Sequence, residues 1–268
     1  MSTLLPGLLA LWAVFALLVA ALACCRRIHR ADPEILRKGL HAGMGLASLA
    51  LPSFFDTVWP VLGLALSFAL VLAARTWCPP IQRILRPILD DVGRPTVGEL
   101  LFPFAVAVTY AAAGGDRVAF AIPILILALA DSAAALVGRR FGAIRYGGPG
   151  GKSLEGSAAF CATAIVCTAI PLSLLSDLGA VSIALIALSV ALLASLAEGL
   201  SRHGLDNVTV PVTTLLLLRA LPRLTPLHFS LVLAGAGMLT LIAAWAAVRG
   251  ATRRGRGRPI RRGEPCRA

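Results

Sequence analysis

Asp131 sits inside an apolar run. The chain beyond it reads Gly138-Arg139-Arg140-Phe141-Gly142, then Gly150-Gly151-Lys152-Ser153-Leu154-Glu155-Gly156-Ser157, before turning apolar again. A carboxylate in hydrocarbon costs about 2.5–3.5 kcal/mol on insertion scales, so it faces a partner, a metal or water. The loop after it offers an anion what it needs. Lys152 brings a full charge, and Gly147, Gly148, Gly150 and Gly151 let the backbone bend. Ser153 is placed to cap a helix whose free N–H groups attract phosphate. Together these residues point to chemistry on phosphate at a membrane surface. The loop is not a Walker P-loop: that motif needs glycine five positions before Gly151, where Tyr146 stands, and a preceding strand.

At 1.5 Å per residue Asp131 lies about 10 Å in from the end of its helix, with Ala134, Ala135 and Gly138 on the same face. That stripe of small residues admits a ligand or a second helix close to the carboxylate. Asp131 is then either a metal-binding or catalytic group, or a buried carboxylate hydrogen-bonded to a neighbouring helix.

Glu198 ends one apolar run, and Asp206 and Asn207 begin the next. Two anionic oxygens and an amide at one turn suit a hydrated Mg²⁺, which takes one or two carboxylates and leaves room for phosphate. Read structurally, Asp206 is a helix N-cap and Glu198 a side chain reaching for the surface. Arg37, Lys38 and His41 share a helical face, two cations and an imidazole suited to phosphate. The same charges also satisfy a simple topological bias. Asp90, Asp91, Arg94 and Glu99 either complete the site or solvate a loop.

The elements that must position these groups are membrane helices. The 268 residues are 58% hydrophobic and only 14% charged. Apolar runs near the length of a ~30 Å hydrocarbon core recur at 4–24, 39–53, 57–74, 98–114, 117–138, 156–175, 179–199, 207–221 and 226–248. They lack the alternation of a barrel, and an open sheet cannot satisfy its backbone in lipid. The expected fold is all-α, a polytopic transmembrane bundle of about nine spans, with its N-terminus outside and its C-terminus cytoplasmic.

Charge supports that orientation. With nine crossings, 22 of the 25 lysines and arginines fall on cytoplasmic segments, leaving Arg117, Arg219 and Arg223 outside. The net charge of +12 is therefore mostly topology, and no nucleic-acid partner is expected. Residues 1–248 form the expected catalytic domain. The Gly/Pro/Arg-rich residues 249–268 form a disordered basic cytoplasmic tail, attracted to anionic headgroups. The segment Ile81-Gln82-Arg83-Ile84-Leu85-Arg86 reads as a short interfacial helix. The first apolar run carries no basic residue ahead of it and reads as a retained span. Six cysteines without a CxxC pair indicate neither a disulfide framework nor a zinc site.

In order and spacing these residues resemble the polyprenol kinase family, which includes phytol, farnesol and dolichol kinases and is distantly similar to phosphatidate cytidylyltransferases. The resemblance covers about residues 37–215. It rests on Arg37-Lys38-Gly39-Leu40-His41, the stretch Arg94 to Glu99, Asp131-Ser132 through Gly138-Arg139 to Phe141-Gly142, and Lys152-Ser153-Leu154-Glu155-Gly156-Ser157. It ends on Glu198 and Leu205-Asp206-Asn207-Val208-Thr209-Val210-Pro211, where Leu205 stands in place of the acid that many relatives carry.

The resemblance implies transfer of the γ-phosphoryl group of CTP, with Mg²⁺, to an isoprenoid alcohol held in the bilayer. On it, Asp131 and Lys152 are the catalytic pair, and Asp131, Glu198 and Asp206 the metal ligands. Arg37, Lys38, His41, Arg139, Gly151, Lys152 and Ser153 meet nucleotide phosphates, with Glu155, Asn207 and Glu99 in support. The expected protein is integral and multi-pass, in the plasma membrane if the source is prokaryotic, with its active site on the cytoplasmic side. Two rival readings are a cytidylyltransferase, which would release pyrophosphate and whose typical His-Gly-Gly…Asp-Arg…Asp ending is absent from this sequence, and a transporter, which would spread polar residues through the membrane.

Overall fold

Apolar sequence in lipid must satisfy its backbone internally, and among the described residues every regular element is helical. The structure is a computed structural model that describes residues 3–89, 97–146, 151–223 and 226–256. Asp90, Asp91, Arg94, Gly147, Gly148 and Gly150 lie outside the described residues, as do positions 257–268 of the tail.

The helices are α1 (Leu4–His29), α2 (Pro33–Ser48), α3 (Leu51–Phe54), α4 (Val58–Ala74), α5 (Pro79–Leu89), α6 (Gly98–Ala113), α7 (Arg117–Leu125), α8 (Asp131–Phe141), α9 (Leu154–Leu175), α10 (Ala180–Leu200), α11 (Asp206–Ala220) and α12 (Pro226–Arg256). A π-helical turn, Ile126–Ala130, joins α7 to α8. The nine apolar segments fall on helices, the second broken by a turn at Leu49 and Ala50 between α2 and α3, and α12 continues past residue 248. Side-chain caps start three helices that matter below. Asp32 accepts from Glu34 N ahead of Pro33 in α2, Asp116 accepts from Val118 N and Ala119 N in α7, and Ser153 accepts from Gly156 N in α9.

Length divides these helices. Among the described residues, five runs are long and apolar enough to cross a bilayer alone: Leu4–His29, Arg117–Phe141, Leu154–Leu175, Ala180–Leu200 and Leu227–Gly250. A sixth is reached if α4 and α5, bent by 93° at their junction, count as one broken span. The remaining segments, α2, α6 and α11, have 16, 16 and 15 residues and fall short of that length, so nine crossings are not reached by length and composition alone. The sharp turn into α5 agrees with a helix lying across the bundle, with Leu85, Ile88 and Leu89 buried and Arg83 and Arg86 exposed.

Two cores form. One gathers Phe15, Leu36, Phe68, Ile88 and Phe102 from α1, α2, α4, α5 and α6. The other gathers Ile126, Phe160, Val190 and Val210 from the π turn, α9, α10 and α11.

Helix α8 meets α9 almost backbone to backbone. A Cβ added at Gly156 would lie 2.7 Å from the Ala134 carbonyl oxygen, and one at Gly138 would lie 2.8 Å from Ser153 Oγ. The small-residue stripe beside Asp131 therefore serves largely to admit a helix. Gly156→Ala is expected to destabilise the protein by about 1–3 kcal/mol through overpacking. Thermal unfolding in detergent measures it, and an unchanged midpoint would contradict the close approach.

Candidate active site

Asp131 opens α8 and closes the π turn with its own backbone: its N–H donates to Ile126 O, one residue beyond the α register. Leu127 O, its acceptor in an α-helix, is left over and lies 3.0 Å from His41 Nε2. That ring nitrogen therefore carries the proton. The same nitrogen is 3.5 Å from Asp131 Oδ2, and Lys38 Nζ donates to that oxygen directly. Lys38 and Asp131 are each only 6% exposed, so this is a buried ion pair joining α2 to α8.

A second ionic group stands beside it. Lys152 Nζ lies 2.6 Å from Glu198 Oε1 and 3.1 Å from Asp206 Oδ2, and it also donates to the Glu198 carbonyl oxygen. Glu198 and Asp206 come together because the chain reverses between α10 and α11 through His203 (φ 57°) and Gly204 (φ 89°), left-handed conformations that glycine adopts without a Cβ clash. Burial pushes the Lys152 amine down. The carboxylates of Glu198 and Asp206 outweigh that, and its pKa is raised above 10.5. A raised amine keeps its charge below that value and loses it only at still higher pH, so Lys152 is a full cation throughout the neutral range.

One oxygen from each of Asp131, Glu198 and Asp206 lies within 4.8 Å of the others. Among the described residues, Glu198 Oε2 is buried without a hydrogen-bond partner. Three hard oxygen donors, one of them unsatisfied, fit a divalent cation such as Mg²⁺. Three carboxylates against Lys38 and Lys152 leave the cluster net anionic, which a bound cation would relieve.

The loop from α8 to α9 is tied at both ends. Glu155 accepts from Ala143 N (3.1 Å) and Ile144 N (3.2 Å), and Tyr146 N donates to Lys152 O (2.9 Å). Tyr146 Oη is 2.6 Å from Ser157 Oγ.

One expectation is corrected here. Ser153 does cap α9, but its hydroxyl is buried, Leu154 N donates to Ile144 O, and Gly156 N donates to Ser153 Oγ. These first-turn donors are consumed internally and are not free for phosphate. Ser153 itself lines the cavity next to Lys152.

The other expected residues divide. Arg37 pairs with Glu34 (2.6 Å), Arg139 with Asp32 (2.6 Å), and Glu99 with Arg75, all at the rim of one cavity that Gly151 also lines. Asn207 lines it too, but its amide donates to Gly98 O at 2.6 Å and ties α11 to α6. Sequence reasoning missed Glu34 as part of the site, although Glu34, Arg37, Lys38 and His41 follow the spacing of one helical face. It also missed that Lys38 is the partner of Asp131.

The cavity encloses about 920 Å³ and has two ends of opposite character. The charged end holds Lys38, Asp131, Lys152, Glu198 and Asp206; the other is walled by Phe15, Leu64, Phe68 and Leu72. Such a shape takes an anionic group and an apolar chain in one molecule or two.

Compared with known proteins, the chain is 31% identical over 199 residues to phytol kinase of Synechocystis sp., an alignment that covers 71% of this chain and 81% of that protein. No family model matches the chain, and no solved structure matches it.

Proposed function

This chain belongs to the phytol kinase-like polyprenol kinase family, and from that premise we propose that it transfers the γ-phosphoryl group of CTP to the hydroxyl of an isoprenoid alcohol. The observation that carries the reading is the junction of the carboxylate–lysine cluster with an apolar wall inside one cavity. A nucleoside triphosphate is water-borne and an isoprenoid alcohol is bilayer-borne, so an enzyme joining them needs a site of this double character. Phosphoryl transfer depends on positioning and on neutralised oxygens more than on a strong base.

Asp131, Glu198 and Asp206 are the residues that would hold Mg²⁺. When bound, the ion supplies charge neutralisation on the transferring phosphate. Lys152 and Lys38 both line the cavity and are assigned to phosphate oxygens, with Arg37 and Arg139 at the rim. Asp131 stands where the charged end meets the apolar wall and orients the acceptor hydroxyl. The alcohol oxygen bonds to the γ-phosphorus as the bond from that phosphorus to the β-phosphate oxygen breaks. The hydroxyl proton passes to the carboxylate cluster, and CDP leaves.

Residues 1–248 act as one membrane domain and the residues after them as a basic tail. The bias of lysine and arginine to alternate loops, with Arg37 and Arg139 lining the cavity, supports a multi-pass chain with the site on the cytoplasmic side, at the plasma membrane if the source is prokaryotic.

The test is incubation of the solubilised protein with a panel of isoprenoid alcohols and four labelled nucleoside triphosphates. The expected products are CDP and a polyprenyl phosphate, at a rate highest with CTP. Release of pyrophosphate with a CDP-lipid would make the chain a cytidylyltransferase instead.

A further inference from the structure

The cavity runs well beyond the charged cluster. Along α2 its lining continues from Lys38 and His41 to Met44 and Ser48, ten residues and about 15 Å. Along α4 it is lined at Val61, Leu64, Ala65, Phe68 and Leu72, the i, i+3, i+4, i+7, i+11 spacing of one helical face, over about 16 Å. Leu11 and Phe15 of α1 complete the wall.

Rings pack α1 against α4 in this wall: Phe15 and Phe68 centroids are 5.2 Å apart, and Trp12 lies 4.4 Å from Phe68. Beyond Ser48 the chain turns, and Leu51 of α3, 2% exposed, stands at the far end. The backbone just past that end is fastened to two other helices. Thr3 Oγ1 donates to Phe54 O at 3.0 Å, and Tyr110 donates to Phe55 O. The one hydroxyl along the arm, on Ser48, is spent on Met44 O at 2.8 Å, so the arm offers a ligand apolar surface only.

We propose that this arm holds the hydrocarbon chain of the acceptor alcohol, and that the buried Leu51, with Ala65 partway along, sets the chain length transferred best. The inference rests on the reading of the chain as an isoprenoid alcohol kinase. A lone apolar pocket in a membrane protein would invite any lipid tail. This one begins at Asp131 and Lys38, so a chain seated in it presents its polar head to the acids and lysines, as a reacting alcohol must. The acceptor comes from a bilayer already as apolar as the arm, so hydrophobic transfer contributes little to choice. Selection comes from fit. A chain shorter than the arm leaves wall atoms without partners, and a longer one cannot seat its hydroxyl at Asp131.

Two measurements on the full-length protein test this. The first is kcat/KM for prenol, farnesol, geranylgeraniol and phytol with wild type and Ala65→Phe, which places a ring in the arm. The ratio of geranylgeraniol to prenol is expected to fall by about tenfold or more. A ratio cancels general losses of folding or activity, and an unchanged ratio would overturn the assignment.

The second is photolabelling with a farnesol analogue bearing a diazirine at its chain end, without nucleotide. Label on Leu11, Leu51 or Val61, displaced by excess farnesol but not by phospholipid, is the expected result. Label only on outward-facing residues, or label displaced equally by phospholipid, means a surface or structural lipid and sinks the proposal. Alcohol-displaceable label in the arm without transfer to any alcohol would leave the arm standing and remove the kinase reading. Normal transfer with label elsewhere would do the reverse.

Discussion

Asp131→Asn is expected to lower phosphoryl transfer by about a hundred- to ten-thousandfold and to lower the melting temperature as well. The amide keeps the size of the side chain but not its charge. On the transfer side it removes the group that orients the hydroxyl and contributes to the cation cluster with Glu198 and Asp206. On the stability side it strands Lys38, which is 6% exposed and donates to the lost carboxylate. An uncompensated buried charge typically destabilises by about 3–5 kcal/mol, whereas removing both partners of a buried pair is close to neutral. Lys38→Met combined with Asp131→Asn should therefore recover most of the melting temperature while transfer stays lost. Near wild-type turnover of labelled CTP by Asp131→Asn would remove Asp131 from the chemistry. A double variant that melts no later than the single one would show that the buried pair is not what the carboxylate stabilises.

Lys152→Ala carries the second large effect, with two readouts moving in opposite directions. Transfer should fall by about a hundred- to a thousandfold, the usual consequence of deleting one preorganised charge from a water-poor site. Divalent-cation affinity should rise, because Lys152 Nζ now sits 2.6 Å from Glu198 Oε1 and 3.1 Å from Asp206 Oδ2, competing for the same oxygens. A gain of about tenfold or more in Mg²⁺ affinity is expected once that competitor is gone. Calorimetric titration of Mg²⁺ into the variant, with no nucleotide present, measures this independently of turnover. Weaker Mg²⁺ binding in Lys152→Ala would show that the three carboxylates do not form the cation site.

Much of the site could be read one residue at a time. Asp131, Glu198 and Asp206 stood out because ionised groups are rare in apolar helices, and Ser153 because its position before an apolar run suits a cap. Their mutual arrangement could not be read. Glu198 meets Asp206 through two left-handed residues, and Asp131 takes its orientation from a π turn whose one-residue slip frees Leu127 O for His41. The Lys38–Asp131 pair joins residues 93 apart in the chain, and no local spacing encodes it. The free helix start expected at Ser153 failed for the same reason: Ile144 folds back to take a donor that local sequence leaves open.

The amino-acid sequence by itself determined the helical membrane class and which side chains were out of place in hydrocarbon, because both follow from composition and from the energy of a charge in lipid. Tertiary packing decided which lysine neutralises which acid and where the apolar arm runs. An α-helical residue such as Leu64 or Phe68 is equally apolar whether it faces lipid or a cavity. Hydropathy cannot tell the two surfaces apart, and only the neighbouring helices separate them.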